Sequence, residues 1–242
     1  TFETSGATAS FDASALDGPT SATIVLRVTD DDGAVDTDTT TVNVTNQPPI
    51  ADAGGPYSVG EGSALSLSGT ATDPSSSDTF TFDWDLDNDG TFETAGASAT
   101  FDASALDGPG SQTVSLRVTD DDGGIGTDSV SVSVTNVAPT ADAGGPYSVG
   151  EGSTISLSGT ATDPSSSDTH TFGWDLDNDG TFETPGASAT FDASAYDGPT
   201  TVTISLRVTD DDGGSDISST TVDVSNEPPA ADAGGPYMAS EG

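Results

Sequence analysis

The sequence repeats itself with a period of 90 residues, and this period constrains the fold more than any other feature. The string ADAGGPY begins at Ala51, Ala141 and Ala231. Residues 51–90 and 141–180 are identical at 36 of 40 positions. Self-similarity at a fixed period is typical of proteins in which one structural unit is copied along the chain. We therefore interpret the sequence as successive copies of one small domain.

Short proline-containing joints, which read TNQPPI, TNVAPT and SNEPPA, separate the copies. Proline restricts the residue before it and cannot continue a hydrogen-bonded ladder, so the joints predict short, extended linkers. The sequence then contains the C-terminal part of one repeat, two complete repeats and the start of a further repeat, and we expect it to be a window from a longer array. In chain order, these segments are 1–46, 47–136, 137–226 and 227–242.

Within each repeat, apolar residues alternate with polar residues, which is typical of strands with one face buried and one face in water. Turn-forming strings such as NDG and DDDGG separate the runs, and no helical periodicity of useful length is present. The fold predicted is all-β, with each repeat an antiparallel sandwich. The string TFDASALDG is compatible with a strand followed by a loop or by a short turn of helix. In the repeat 47–136, the alternating apolar residues are Leu65, Leu67, Phe80, Phe82, Trp84, Leu86, Val114, Leu116, Val118, Val130, Val132 and Val134.

The charge of the chain restricts its partners. There are 41 acidic residues and only three basic ones, all arginine, which gives a formal net charge of −38. Nucleic-acid binding requires a basic surface, so this class of partner is excluded. No stretch is long and apolar enough to insert into a membrane. Cations are the partners that such a surface attracts.

An enzyme is not expected. The sequence contains one histidine, His170, and neither cysteine nor lysine, so no nucleophile and base can be paired in the usual ways. His170 stands where the preceding repeat has Phe80, and we interpret it as a partly buried substitution. Carboxylates that recur every 90 residues indicate a structural element and not one tuned acid–base pair.

The strings SLSGTATD, WDLDNDG and SLRVTDDDGG, together with ADAGGPY, resemble the polycystic kidney disease (PKD) domain family. The family's Trp-Asp pair corresponds to Trp84-Asp85 and Trp174-Asp175, although WDLDNDG departs from the shorter loop of the family. The resemblance covers essentially the whole chain. It implies tandem Ig-like (PKD-type) antiparallel β-sandwiches with a modular extracellular role in spacing, adhesion or interdomain stiffening. It also implies calcium binding in some microbial members.

The first candidate metal site is the pattern D-x-D-x-D-G-x-x-E. Alternating carboxylates on a tight turn can point at one centre, and a backbone carbonyl can add a ligand. Oxygen ligands without histidine or cysteine suit calcium better than a transition metal. The alternative is an acidic turn in which the aspartates cap their own backbone. The candidate ligands are Asp85, Asp87, Asp89, Thr91 and Glu93, and in the next repeat Asp175, Asp177, Asp179, Thr181 and Glu183.

Two further acidic loops are weaker candidates. One is the triple aspartate that follows the LRVT strand, where adjacent carboxylates repel unless they are screened or bound to a cation. The other is the loop TATDPSSSD, which we expect near the domain entrance beside the linker residue Asn46 or Asn136. The candidate residues of the two loops are Asp120, Asp121, Asp122, Asp210, Asp211 and Asp212, and Asp73, Asp78, Asp163 and Asp168.

Together these features predict an extracellular or cell-surface structural protein, a shaft, filament or adhesin stalk stiffened by calcium. Its expected partners are calcium ions, neighbouring repeats and other copies of the chain in a filament. Two alternatives stay open: a salt-adapted acidic surface without specific metal sites, and a carbohydrate- or matrix-binding spacer of a secreted hydrolase.

Overall fold

The structure, a computed structural model, describes residues 3–242. Within these residues every regular element is a β-strand, and none is a helix that is long and apolar enough to cross a membrane. The chain forms two compact units, Thr1–Thr135 and Asn136–Gly242. The all-β prediction is therefore confirmed.

In the first unit, a five-stranded sheet has the order β4-β11-β10-β7-β8, and the pairs β5-β9 and β3-β6 lie outside it. The hairpin β1-β2 forms a separate two-stranded sheet. The strands are β1 (Thr20–Thr29), β2 (Val35–Val44), β3 (Ile50–Asp52), β4 (Tyr57–Gly60), β5 (Ala64–Ser68), β6 (Thr70–Thr72), β7 (Phe80–Asp85), β8 (Thr94–Ala95), β9 (Ser98–Asp102), β10 (Gly110–Asp120) and β11 (Ile125–Thr135).

The second unit repeats this arrangement, with a five-stranded sheet in the order β13-β20-β19-β16-β17 and the pairs β14-β18 and β12-β15. The strands are β12 (Thr140–Asp142), β13 (Tyr147–Gly150), β14 (Thr154–Ser158), β15 (Thr160–Thr162), β16 (His170–Asp175), β17 (Thr184–Pro185), β18 (Ser188–Asp192), β19 (Thr200–Asp210) and β20 (Ser215–Ser225).

The core of each repeat comes from the inward face of the alternating runs. In β10, Val114, Leu116 and Val118 are fully buried, and they pack in one cluster with Leu67 and Trp84. The Trp84 indole N–H donates a hydrogen bond to the Gly96 carbonyl at 3.1 Å, so its one polar group is satisfied inside the core. The alternating pattern predicts an inward position for Trp84, and its full burial confirms this.

The structure differs from the sequence prediction in one strand pairing and decides the conformation of the string TFDASALDG. One strand pair in each unit is parallel, because β4 pairs with β11 and β13 with β20 in parallel register. The chain changes sheets between β3 and β4, because β3 pairs with β6 whereas β4 pairs with β11. The string TFDASALDG forms the strand β9 and then a turn, without a helix.

The register of β7 and β10 decides where the acidic loops lie. Asp120, the last residue of β10, is paired with Phe80, the first residue of β7, whereas Ser115 is paired with Asp85 at the other end. The loop that precedes β7 and the loop that follows β10 therefore meet. The DLDNDG turn lies at the opposite end of β7, roughly 17 Å away at about 3.3 Å per residue.

Candidate metal centres

Three aspartates, two from the loop between β6 and β7 and one from the end of β10, meet at one end of the first unit. Asp73 follows β6, Asp78 precedes β7, and Asp120 ends β10. One carboxylate oxygen of each lies within 4.8 Å of the others. The structure thus brings together predicted residues from the two weaker candidate loops.

Some oxygens of this cluster are satisfied and others are not. Asp120 is 5% exposed; its Oδ1 accepts the Gly124 N–H at 2.6 Å, and its Oδ2 accepts Asn46 Nδ2 at 3.0 Å. Asp73 Oδ2 and both carboxylate oxygens of Asp78 are buried without a hydrogen-bond partner. Buried charged oxygens without a donor are costly unless a proton or a cation compensates them. This cluster therefore requires a proton or a cation.

The electrostatics of the cluster agree with this requirement. Burial raises the pKa of Asp73, and the nearby Asp78 raises it further, although a hydrogen bond from the Ser75 N–H opposes the shift. An arginine in the same unit is engaged elsewhere, since Arg117 lies 3.1 Å from Asp83 and over the ring of Phe92. An oxygen-only group of this kind suits a hard cation such as calcium.

The second unit has the corresponding cluster, with one substitution. Oxygens of Asp163, Asp168 and Asp210 lie within 4.8 Å of one another, and Asn136 Nδ2 donates to Asp210 Oδ2 at 3.1 Å. Here His170 Nε2 lies 3.4 Å from Asp163 Oδ2, the atom whose counterpart in the first unit has no partner. The half-buried position expected for the histidine is confirmed. The linker asparagines occupy the predicted place beside both clusters.

The remaining members of the triple aspartates have other roles. Asp121 Oδ1 accepts the Thr79 N–H at 2.9 Å, and Asp211 Oδ1 accepts the Thr169 N–H at the same distance. These hydrogen bonds lower the pKa of both carboxyls. In the first unit this bond holds the loop before β7 against the loop that follows β10. In the second unit it holds the loop before β16 against the loop that follows β19. Asp122 and Asp212 are exposed.

The DLDNDG turn also gathers its carboxylates: oxygens of Asp85, Asp87, Asp89 and Glu93 lie within 4.8 Å of one another. Asp85 is 2% exposed, but its oxygens already accept backbone N–H groups from Asp89 at 3.3 Å and Gly90 at 2.9 Å. The turn therefore contains both the clustered oxygens of the metal hypothesis and the backbone caps of its alternative. Its buried carboxylate does not require a cation.

Local conformation explains this tight turn. Asn88 has a φ of 59° and Gly90 a φ of 92°, both in the left-handed region that glycine and asparagine tolerate. The N–H of Thr91, a predicted ligand, donates a hydrogen bond to Asp89 Oδ1 at 2.7 Å. That the Thr91 carbonyl binds a metal ion stays a prediction.

The second copy of the turn has the same caps. The Asp179 and Gly180 N–H groups donate to Asp175 at 3.2 and 2.9 Å, and the Thr181 N–H donates to Asp179 at 2.8 Å. Asp177 accepts a further bond from the Asp179 N–H at 3.3 Å. Glu183 is exposed at the position equivalent to Glu93.

Comparison with known proteins settles the family. Residues 46–134 and 136–224 each match the profile of the PKD domain. The chain belongs to the PKD domain family. Tandem PKD domains are typically non-catalytic and typical of extracellular or surface proteins, and they suggest an adhesion or structural repeat module.

The similarity of these PKD repeats to solved structures is distant. Drosophila N-cadherin EC1-4 is 15% identical over 89% of this chain and 61% of that chain, with a TM-score of 0.31. The insect immune protein hemolin is 13% identical over 74% of this chain and 47% of that chain, with a TM-score of 0.44. Titin domains I67-I69 are 14% identical over 86% and 75%, with a TM-score of 0.42. A comparison with curated proteins gave no match.

The PKD repeats also contain a buried acid that the sequence analysis missed. Glu61 is fully buried, and its Oε2 accepts the Gly108 N–H at 2.6 Å. Glu151 accepts the corresponding Gly198 N–H at 2.7 Å, which lowers its pKa. Nothing near Glu61 in the sequence indicates its burial, because its hydrogen-bond donor, Gly108, lies 47 residues away.

Proposed function

We propose that this chain is part of an extracellular structural repeat protein, a shaft, filament or adhesin stalk, whose PKD domains are stabilised by calcium. The observation that carries the proposal is the group of buried, unpartnered oxygens on Asp73 and Asp78 beside Asp120. The recurrence of the cluster as Asp163, Asp168 and Asp210 also supports it. Its partners are calcium ions, neighbouring repeats and other copies of the chain.

Charge makes a cation important for this fold. Residues 51–140 contain fifteen acidic residues and one arginine. Two unit charges 4.8 Å apart repel by roughly 3 kcal/mol at an effective dielectric constant of about 20. A calcium ion among three such carboxylates replaces repulsion with attraction. It also ties the linker residue Asn46 to the domain through Asp120, which stiffens the entrance of the repeat.

The expected gain in stability follows from binding linkage. Extracellular modules bind calcium with a Kd of about 10⁻⁴ to 10⁻³ M. At about 10 to 100 times that Kd, one site contributes about 1.4 to 2.7 kcal/mol to the free energy of unfolding. This is a large share of the stability of about 5 to 15 kcal/mol that is normal for a domain.

A thermal melt of the whole chain in calcium chloride, in chelator, and in chelator with high sodium chloride tests the proposal. We expect only calcium to raise the melting temperature strongly. The variant Asp73→Asn keeps the Oδ1 cap of the Ser75 N–H but removes a charge from the cluster, so it reduces the rise produced by calcium. The matched variant Asp121→Asn leaves the rise intact.

Equal stabilisation by sodium chloride would show that the carboxylates form only a charged surface, as the salt-adapted alternative predicts. In that case the calcium sites are abandoned, and the structural repeat remains.

A further inference from the structure

A second group of carboxylates lies beside the first cluster and includes a residue from the preceding repeat. Oxygens of Asp17, Asp78 and Asp122 lie within 4.8 Å of one another. Asp17 belongs to the segment before β1, and Asp122 follows β10 in the next repeat. Both repeats are parts of the compact unit Thr1–Thr135.

The backbone holds Asp17 in this place. The next residue, Gly18, is buried, and a Cβ there would lie 2.8 Å from the backbone nitrogen of Asn46. The loop that carries Asp17 therefore lies directly against the linker whose Asn46 side chain donates to Asp120. The position of Asp17 is defined by close backbone packing and not by a long, free loop.

An independent observation at Asp78 points to a ligand. Both of its carboxylate oxygens are buried, and no N–H or hydroxyl group donates a hydrogen bond to either of them. Asp78 is also the one residue common to this group and to the cluster with Asp73 and Asp120. A carboxylate has two oxygens with several lone pairs, so one group can serve two cations at once.

The carboxylates of this group also disfavour one another's charge. The pKa of Asp17 is raised to about 6, first by a hydrogen bond with the carboxyl of Asp78, then by partial loss of solvent, and then by the charge of Asp122. Metal binding requires deprotonated carboxylates and relieves this repulsion.

We propose that Asp17, Asp78 and Asp122 bind a second divalent cation of the calcium type, and that Asp78 bridges it to the ion held by Asp73 and Asp120. Asp17 and Asp122 are exposed, so water completes the coordination of this second ion. Because its ligands come from two successive repeats, binding strengthens the packing of the loop of the first repeat against the second. The identity of the cation rests on the function proposed above; the geometry of the second group does not.

Calcium chloride titrated into the whole chain, with a chromophoric chelator as competitor, tests this proposal. We expect Asp17→Asn to bind one calcium ion fewer than the parent chain. The control is Asp12→Asn, which makes the same charge change in the same segment and retains the Oδ1 that caps the Ser14 N–H. Hydrogen exchange of residues 12–19 provides a second readout, since calcium should slow it in the parent chain but not in Asp17→Asn.

The sign of the effect on stability separates a ligand from a structural carboxylate. In chelator, Asp17→Asn removes repulsion, so the melting temperature should stay the same or rise, whereas in calcium the variant should melt below the parent chain. The proposal would be overturned if Asp17→Asn lowered the melting temperature equally in calcium and in chelator. It would also be overturned if Asp17→Asn bound as many calcium ions as the parent chain and calcium still slowed the hydrogen exchange of its residues 12–19. If the parent chain itself binds no calcium, the proposed function fails along with this inference.

Discussion

The string LRVTDDDG occurs at 26–33 in the first repeat and at 116–123 in the second, with very different surroundings. Both copies form the same hairpin end, with the N–H of Asp30 or Asp120 bonded to the carbonyl four residues later at 3.0 Å. Leu26, however, is 55% exposed, whereas Leu116 is fully buried. Identical sequence therefore gives the same local backbone in two different environments.

The difference comes from the partners of the two hairpins. The hairpin β1-β2 is a two-stranded sheet by itself, whereas β10 lies inside a five-stranded sheet between β7 and β11. Leu116 belongs to the core cluster with Trp84, and Asp120 meets Asn46 and the loop before β7. In the second repeat, residues from other elements lie beside the triple aspartate and complete a candidate metal site.

The largest difference is expected for truncation of the equivalent leucines. Leu116→Ala should destabilise the first unit by about 2 to 5 kcal/mol because it leaves a cavity in a packed core. Leu26→Ala, at an exposed position, should change stability by less than about 1 kcal/mol. Hydrogen exchange of the β10 amides as a function of denaturant measures both changes within one unit. Equal losses would mean that the β1 face is also covered in solution.

The residue after the DDDG string provides a second contrast, since it is Ala34 in the first repeat and Gly124 in the second. A Cβ at Gly124 would overlap Asp120 Oδ2 and lie 2.9 Å from Asn46 Nδ2. Gly124→Ala should cost about 1 to 3 kcal/mol through overpacking and should also reduce the calcium-dependent stabilisation.

The matched change Ala34→Gly should cost no more than about 1 kcal/mol, from chain entropy alone. Thermal melts with and without calcium measure both variants. An unchanged response of Gly124→Ala to calcium would show that metal binding does not depend on the contact between Asn46 and Asp120.

Asp30 and Asp120 are equivalent in sequence, but removing the charge of each should affect stabilisation by calcium differently. Asp120→Asn should abolish most of the stabilisation of about 1.4 to 2.7 kcal/mol that one site provides, whereas Asp30→Asn should leave it intact. The quantity compared is the difference between calcium and chelator for each variant, so that structural effects of the substitution cancel. An equal loss for Asp30→Asn would indicate a general charge effect.

The smallest expected effect is a pH dependence in the absence of calcium. The pKa of Asp17 is raised to about 6, chiefly by Asp78, so the folded chain binds a proton there that the unfolded chain does not bind until near pH 4. Stability in chelator should therefore rise as the pH falls from 7 to 5. The lowered pKa of Asp12 acts in the opposite direction, and only below about pH 4.

Asp17→Asn should remove this part of the rise, and Asp12→Asn should retain it. Melting temperatures in chelator at pH 7, 6 and 5 are sufficient for the measurement. A flat profile for the parent chain would contradict the contact between Asp17 and Asp78.

Much of the site was predictable because its residues lie next to strands with clear alternation. The DLDNDG turn ends a strand that Phe82 and Trp84 mark in the sequence, and its backbone caps join residues two to five positions apart. The relative importance of the acidic loops was not predictable. Only the contacts show that Asp85 has N–H donors while Asp78 has none.

The sequence by itself determined the repeat and the all-β fold, because a period of 90 residues and a period of two can both be read from the order of residues. Its motifs also carry the resemblance to the PKD family and the acidic loops. The tertiary structure alone decided which carboxylates meet. Asp17, Asp78 and Asp122 are far apart in the chain, and their approach depends on strand register and linker packing. It also decided that Glu61 is buried and that β4 lies parallel to β11. Such properties depend on which distant elements pack together, and adjacent residues do not specify that packing.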